Sequence, residues 1–281
     1  MSEQSPNNLN IAFIGAGNMA AALIDGLLAN GWSSDQIRAS DTDPSRLDQL
    51  AGKGIPTTTD NETVIAQSDA VILAVKPQVM QEVLVPLQET LTGTNCLLVS
   101  IAAGITMENL QAWTHTDQAI VRCMPNTPAL VQTGASALYA NAQCSDDQKI
   151  IAGRLLEAVG LVCWLDNELD MDAVTALSGS GPAYFFLLME AMQEAAITLG
   201  LNAETAKRLC LQTALGAAKL AQSGDVEVGE LRRRVTSPGG TTEAALKQFE
   251  SDGFNAMVAR ALEKAAQRSK ELAAPAGKQK S

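Results

Sequence analysis

A six-residue segment near the start, Gly15-Ala16-Gly17-Asn18-Met19-Ala20, constrains the fold more than any other. It follows the apolar run Asn10-Ile11-Ala12-Phe13-Ile14, which reads as a buried strand. It opens an Ala/Leu-rich helix, Met19 to Ala29, that Asn30-Gly31 stops. This G-x-G-x-x-A spacing between a strand and a helix brings a helix N-terminus against a pyrophosphate. Gly15 permits the tight turn, Gly17 lets a phosphate approach the backbone, and Ala20 lets helix and strand pack closely. The free N–H groups of the helix start favour an anion. The competing reading is a tight strand–helix turn that binds nothing.

Further apolar runs continue the pattern. Ile37–Ser40 reads as a second strand, and Asp43-Pro44 starts a helix with Asp43 as cap and Pro44 in its first turn. Ala70–Val75, Cys96–Ile101 and Ala119–Cys123 are further strands, most of them separated by helical segments. Apolar strands alternating with helices predict a parallel sheet covered on both faces. After Trp164 the pattern changes, and from about Asp172 no strand is evident. Pro182–Leu199 is apolar nearly all round, with only Glu190 and Glu194 charged, so it is expected at a subunit interface. Ala203–Gln222 and Phe254–Ala273 are more amphipathic helices. The expected division is residues 1–168, dinucleotide-binding, and residues 169–281, all-helical, with a frayed Lys/Gly-rich tail at 275–281.

Composition removes several function classes. Lys+Arg is 20 and Asp+Glu is 31, a net charge of −11, which repels a phosphate backbone or an anionic bilayer. Phe, Trp and Tyr number 5, 3 and 2, and none sits in a basic run, so neither a nucleic-acid nor a membrane partner is expected. The five cysteines are widely spaced without a C-x-x-C, which fits a reducing cytosol. The one histidine, His115, lies in a polar stretch and reads as a solvated loop residue, so no metal site is expected. The first ten residues lack Lys and Arg, so no leader is expected and the chain reads as cytoplasmic.

In an open α/β sheet, ligands dock at the carboxyl ends of the strands. Asp41 lies 21 positions beyond Ala20, where an acid commonly bonds the ribose 2′-hydroxyl. Arg38, Arg46, Ser40 and Thr42 lie close enough in sequence to accept a 2′-phosphate instead. Ala74-Val75-Lys76-Pro77 ends one strand, and Lys76 reads equally as a cofactor contact or a solvated lysine. Ala102-Ala103-Gly104 ends the next, where small residues let a flat ring approach. Met124-Pro125-Asn126-Thr127-Pro128 is an ordered loop after a further strand end. In the second half, Ser178-Gly179-Ser180-Gly181-Pro182 reads equally as close packing or as function. Ser237-Pro238-Gly239-Gly240-Thr241-Thr242 precedes a helix at Glu243–Phe249, and offers either a carboxylate site or a capped helix start.

Taken together, these segments resemble pyrroline-5-carboxylate reductases, through Phe13–Met19, Ala74–Pro77, Ser100–Gly104, Met124–Ala129, Ser178–Ala183 and Ser237–Thr242, in order over essentially the whole chain. The resemblance implies NAD(P)H-dependent reduction of 1-pyrroline-5-carboxylate to L-proline. It implies an α/β N-terminal Rossmann domain, a doubly wound parallel sheet, followed by an all-helical dimerisation domain, often assembled as a pentamer of dimers. It assigns the pyrophosphate to Ile14, Gly15, Ala16, Gly17, Asn18 and Met19, and the adenosine end to Ser40 and Asn61. Ala74, Val75, Lys76, Pro77, Ala102, Ala103 and Gly104 then line the ribose and nicotinamide. The substrate falls to Ser237, Pro238, Gly239, Gly240, Thr241 and Thr242, with Thr242 near the ring nitrogen as the catalytic residue. Asp225 matches a proline-contacting position, and Arg234 falls where some members carry Asn.

A protonated cyclic imine is already an electrophile, so the expected chemistry is hydride transfer with the protein orienting the partners. A hydroxyacid dehydrogenase of similar build needs a lysine that Pro182–Leu199 lacks. A nucleotide-sensing scaffold has no use for the Ser237–Thr242 loop. For the cofactor, strand alternation puts Ser40 and Asp41 on opposite faces, and the resemblance places Ser40 at the cofactor, which turns Asp41 away. NADPH is therefore expected over NADH, which stays possible.

Overall fold

The computed structural model describes residues 9–273; the tail expected to fray lies outside them. The described chain divides into two compact units, residues 9–180 with 265–273, and residues 181–264.

The first unit is built on eight strands: β1 (Ile11–Ile14), β2 (Ile37–Ser40), β3 (Thr57–Thr58), β4 (Ala70–Leu73), β5 (Leu97–Ser100), β6 (Ile120–Met124), β7 (Gly134–Ala140) and β8 (Gly160–Trp164). Their order is β3-β2-β1-β4-β5-β6-β7-β8, so the first six follow the doubly wound order in which β1 and β4 flank the point of reversal. Alternation along each strand feeds two cores. Ile11, Phe13, Ile72, Leu97 and Val99 enter one cluster, and Ala12, Ile14, Val71, Leu73 and Leu98 enter the other. Burial on both faces is why these strands read as unbroken apolar runs.

The sheet departs from the all-parallel expectation at one place. β7 runs antiparallel to β6, and β8 is again parallel to β7. β7, Gly-Ala-Ser-Ala-Leu-Tyr-Ala, is built largely of small residues and holds no β-branched residue. Helix α1 (Asn18–Ala29) follows β1, and α2 (Pro44–Ala51) follows β2 with Asp43 accepting from Ser45 N–H as its cap. α3 (Asn61–Ala66) starts behind Asp60, which caps it in the same way. His115 is in the loop before β6, but its Nε2 is out of solvent and unbonded, so it is only partly the solvated residue expected.

The second unit is helical throughout its described residues, with helices Gly181–Thr198, Ala203–Gln222, Val228–Arg234 and Thr241–Ser251. It also holds the helix beginning at Phe254 as far as Lys264. Ala206 and Cys210 are its buried anchors, and the Cys210 thiol donates to Met189 O at 3.5 Å. Phe249 and Phe254 stack at a tilt with centroids 5.5 Å apart. Phe185, Phe186 and Leu187 on Gly181–Thr198 stay more than 60% exposed in the single chain.

Candidate active site

The parallel register aligns the carboxyl ends of four strands. Ile14 stands opposite both Ser40 and Leu73, and Leu73 opposite Ser100. The residues that follow therefore meet along one edge. Gly15 N–H donates to Ser40 O at 2.8 Å, Ala74 N–H to Ile14 O at 2.8 Å, and Ile101 N–H to Leu73 O at 3.2 Å. The segments beginning at Gly15, Ala74 and Ala102 are thus brought together on one unit.

Gly15 has φ +99°, and a Cβ there would lie 2.8 Å from the Ala74 carbonyl carbon. Only glycine fits both the left-handed backbone and that close approach. Gly17 is the N-cap of α1; its side-chain direction is open, with nothing within 4 Å, and no side chain caps the helix. A helix start left uncapped beneath an open glycine is the cradle a pyrophosphate requires, so this edge fits a dinucleotide.

Around the adenosine end the structure corrects the sequence reading. Ser40 is fully buried, its hydroxyl donating to Asn61 Oδ1 at 2.6 Å. Asp41 does not turn away. Its carboxylate accepts from Ala16 N–H at 2.7 Å and from Asp43 N–H at 2.9 Å, and its side chain is only 8% exposed. The reason is that β2 ends at Ser40, so strand alternation no longer directs the next side chain. Arg46 pairs with both Asp41 (3.5 Å) and Asp43 (3.4 Å). Arg38 points elsewhere, to Gln67 O and Asn10 Oδ1. Lys76 is exposed as the N-cap of a short turn led by Pro77.

Beyond β5, Ala102 is buried, and a Cβ on Gly104 would come within 3.2 Å of Leu272 Cβ. Leu272 thus lies against the Gly104 turn within the same unit. Asn126 ties the Pro-rich loop down, its Nδ2 donating to Ser178 O at 3.0 Å and its Oδ1 accepting from Ala135 N–H at 2.9 Å. Thr175–Gly179 is a π-helical turn, and a Cβ on Gly179 would fall 2.5 Å from Met124 Cε. A side chain at 179 would have to displace the end of Met124.

In the helical unit, Ser237–Gly240 forms a tight turn, with Gly240 N–H donating to Ser237 O at 3.0 Å and Gly239 at φ +71°. Gly239 N–H is not open to a ligand: it donates to Glu243 Oε2 at 2.7 Å. That bond, with Lys247 at 3.0 Å on the other oxygen, holds the Glu243 carboxyl below the usual range. Gly240 is the N-cap of Thr241–Ser251, which no side chain caps by hydrogen bond. Thr241 and Thr242 are exposed at this helix start. Asp225 is exposed in the loop before Val228–Arg234, and Arg234 bonds Glu230 at 3.0 Å within that helix.

Residues 168–272 match the family model described as pyrroline-5-carboxylate reductase dimerisation. A pyrroline-5-carboxylate reductase of Pseudomonas aeruginosa is 57% identical over 268 residues, covering 95% of this chain and 98% of its own. The chain belongs to the pyrroline-5-carboxylate reductase family. Residues 10–104 match a second model, described as NADP oxidoreductase, coenzyme F420-dependent. Among solved structures, a pyrroline-5-carboxylate reductase from Coxiella burnetii is 45% identical with TM-score 0.92, covering 96% of this chain and 100% of its own. That of Plasmodium falciparum, with NADP bound, is 30% identical with TM-score 0.83, covering 95% and 99%.

Some features of this pyrroline-5-carboxylate reductase family chain left no signal in sequence. The Arg122–Glu168 ion pair, whose Glu168 also accepts from Met107 N–H at 2.6 Å, joins β6 to one earlier and one later segment. The Leu272–Gly104 contact spans most of the chain. Neither has a local pattern. The Asn126 bonds are the exception: an Asn between prolines in a loop is a candidate backbone clamp.

Proposed function

We propose that the chain reduces 1-pyrroline-5-carboxylate to L-proline with NADPH, the last step of proline biosynthesis. What carries this reading is the presence in one chain of two uncapped helix starts, at Gly17 and at Gly240, each opened by a Gly-containing turn. The first suits a pyrophosphate and the second a small carboxylate.

Bound NADPH supplies a hydride to the carbon of the C=N bond. The backbone at Ile14–Met19 holds the pyrophosphate, and Ala74–Pro77 with Ala102–Gly104 lines the ribose and nicotinamide. In the second unit, Glu243 and Ser237 O occupy the N–H groups of Gly239 and Gly240, which leaves those of Thr241 and Thr242 for the substrate carboxylate. Thr242 Oγ accepts from the protonated ring nitrogen and holds it as it becomes an amine. Ser237 and Pro238 shape the turn, and Asp225 contacts the ring as the family resemblance implies. These residues orient a substrate that is already electrophilic.

The division of labour follows residues 1–168 and 169–281. Exposed Phe185, Phe186 and Leu187 support dimerisation through the helical unit, with pentamers of dimers as the assembled form. Light scattering at micromolar concentration should give twice the chain mass or a multiple of it; the single-chain mass contradicts this. Five unpaired cysteines suit a reducing cytoplasm. Among the described residues no helix is long and apolar enough to cross a membrane. The function is tested by adding 1-pyrroline-5-carboxylate to purified protein and NADPH. Substrate-dependent oxidation with proline as product is expected, and folded protein without turnover sinks the reading.

A further inference from the structure

We propose that Glu168, held by Arg122, is a positioning residue for hydride transfer: it fixes the far end of the turn at Ala102–Gly104 and so sets where the nicotinamide lies. The proposal rests on the reductase reading above, which gives that turn to the nicotinamide.

The turn runs between β5, which ends at Ser100, and the helix Met107–Trp113. Its near end is set by the sheet, where Ile101 N–H donates to Leu73 O at 3.2 Å. Its middle is Ala-Ala-Gly, with Gly104 at φ +74°. Small residues let a flat ring approach, but they supply little side-chain contact to brace the backbone. The far end is Met107, the first residue of the helix. Thr106 Oγ1 caps that helix by accepting from Asn109 N–H at 3.2 Å. The Met107 N–H goes instead to Glu168 Oε1, at 2.6 Å and 61 positions further along the chain.

The same Glu168 oxygen accepts from Arg122 Nη1. Arg122 lies on β6, opposite Ser100 in the register and therefore beside the near end of the turn. Contacts thus run from Ser100 to Arg122, from Arg122 to Glu168, and from Glu168 to Met107, and tie the turn's two ends to each other. The Arg122 side chain is 12% exposed and that of Glu168 27%. A charge-assisted bond partly shielded from water holds its geometry better than a neutral one. Hydride transfer is steep in geometry: a misplacement of about 1 Å costs on the order of a hundredfold in rate. A carboxylate that never touches the dinucleotide therefore acts on the rate through the turn it holds.

The test compares Glu168→Ala, which removes both bonds, with Glu168→Gln, which keeps a carbonyl oxygen for both donors. Single-turnover oxidation of bound NADPH is expected to slow by about tenfold or more in the alanine variant, with glutamine restoring most of the rate. Two binding readouts accompany it. Affinity for 2′-phospho-ADP-ribose, which lacks the nicotinamide, should stay within about twofold of wild type. Time-resolved fluorescence anisotropy of bound NADPH should show faster local motion of the nicotinamide in the alanine variant. An ion pair that only staples the fold would lower the melting temperature and leave the single-turnover rate and the anisotropy alone, which overturns the proposal. Equal weakening of 2′-phospho-ADP-ribose and NADPH overturns it too, since the whole cofactor site is then disturbed. Should Glu168→Ala not fold, Arg122→Lys is read by the same measurements and should move them in the same direction. Failure of the reductase reading looks different: wild type binds NADPH and gives no oxidation with 1-pyrroline-5-carboxylate, while the anisotropy still decides whether Glu168 fixes the nicotinamide.

Discussion

Gly15→Ala is expected to lower kcat/KM for NADPH by about a hundredfold or more, equivalent to about 2.7 kcal/mol. The methyl group meets two obstacles at once. The backbone at φ +99° is one that L side chains rarely adopt, and the Cβ falls 2.8 Å from both the carbonyl carbon and the oxygen of Ala74. The contacts are backbone, so no side chain can swing aside. Either the turn or the end of β4 must move, and both belong to the proposed cofactor site. Gly31→Ala is the control. It has φ +87° but nothing within 4 Å of the added Cβ, so it carries backbone strain without the collision. Its melting temperature should fall while its NADPH titration stays that of wild type. Equal loss of NADPH affinity in both variants would show that strain alone, not the site, governs Gly15.

Thr242→Ala is expected to lower kcat/KM for 1-pyrroline-5-carboxylate by about tenfold, near 1.4 kcal/mol, with Thr242→Ser restoring most of it. The hydroxyl is exposed and makes no cap bond to its own helix, so its loss does not disturb the helix start. NADPH affinity should be unchanged, because the pyrophosphate turn belongs to the other unit. Wild-type kinetics in the alanine variant would remove Thr242 from the chemistry.

Much of this could be read from the chain because its local signals agree with the fold. Strand β1, the Gly15–Ala20 turn and α1 form one continuous signal of strand, glycine turn and helix. The helix Pro44–Ala51 begins behind Asp43 with proline in its first turn, as the sequence implied, because the cap bond is local. β7 escaped because a strand of small residues has no periodicity to find, and with it went the antiparallel pairing to β6. Asp41 was misplaced for a sharper reason. Alternation governs side chains inside a strand, and Asp41 lies one residue past the end of β2, where hydrogen bonds to Ala16 and Asp43 decide its direction. The Ser237–Thr242 loop reads from sequence as either a carboxylate site or a capped helix start, and that Glu243 occupies the Gly239 N–H could not be read, since that depends on a side-chain rotamer.

The central claim is direct hydride transfer to a substrate that the protein holds and orients. It is tested most directly by running the turnover assay with NADPH deuterated at the transferring C4 position. The proline formed should carry one deuterium, on the ring carbon that had been doubly bonded to nitrogen. Proline with deuterium absent from that carbon, the label having passed to solvent, would contradict the account.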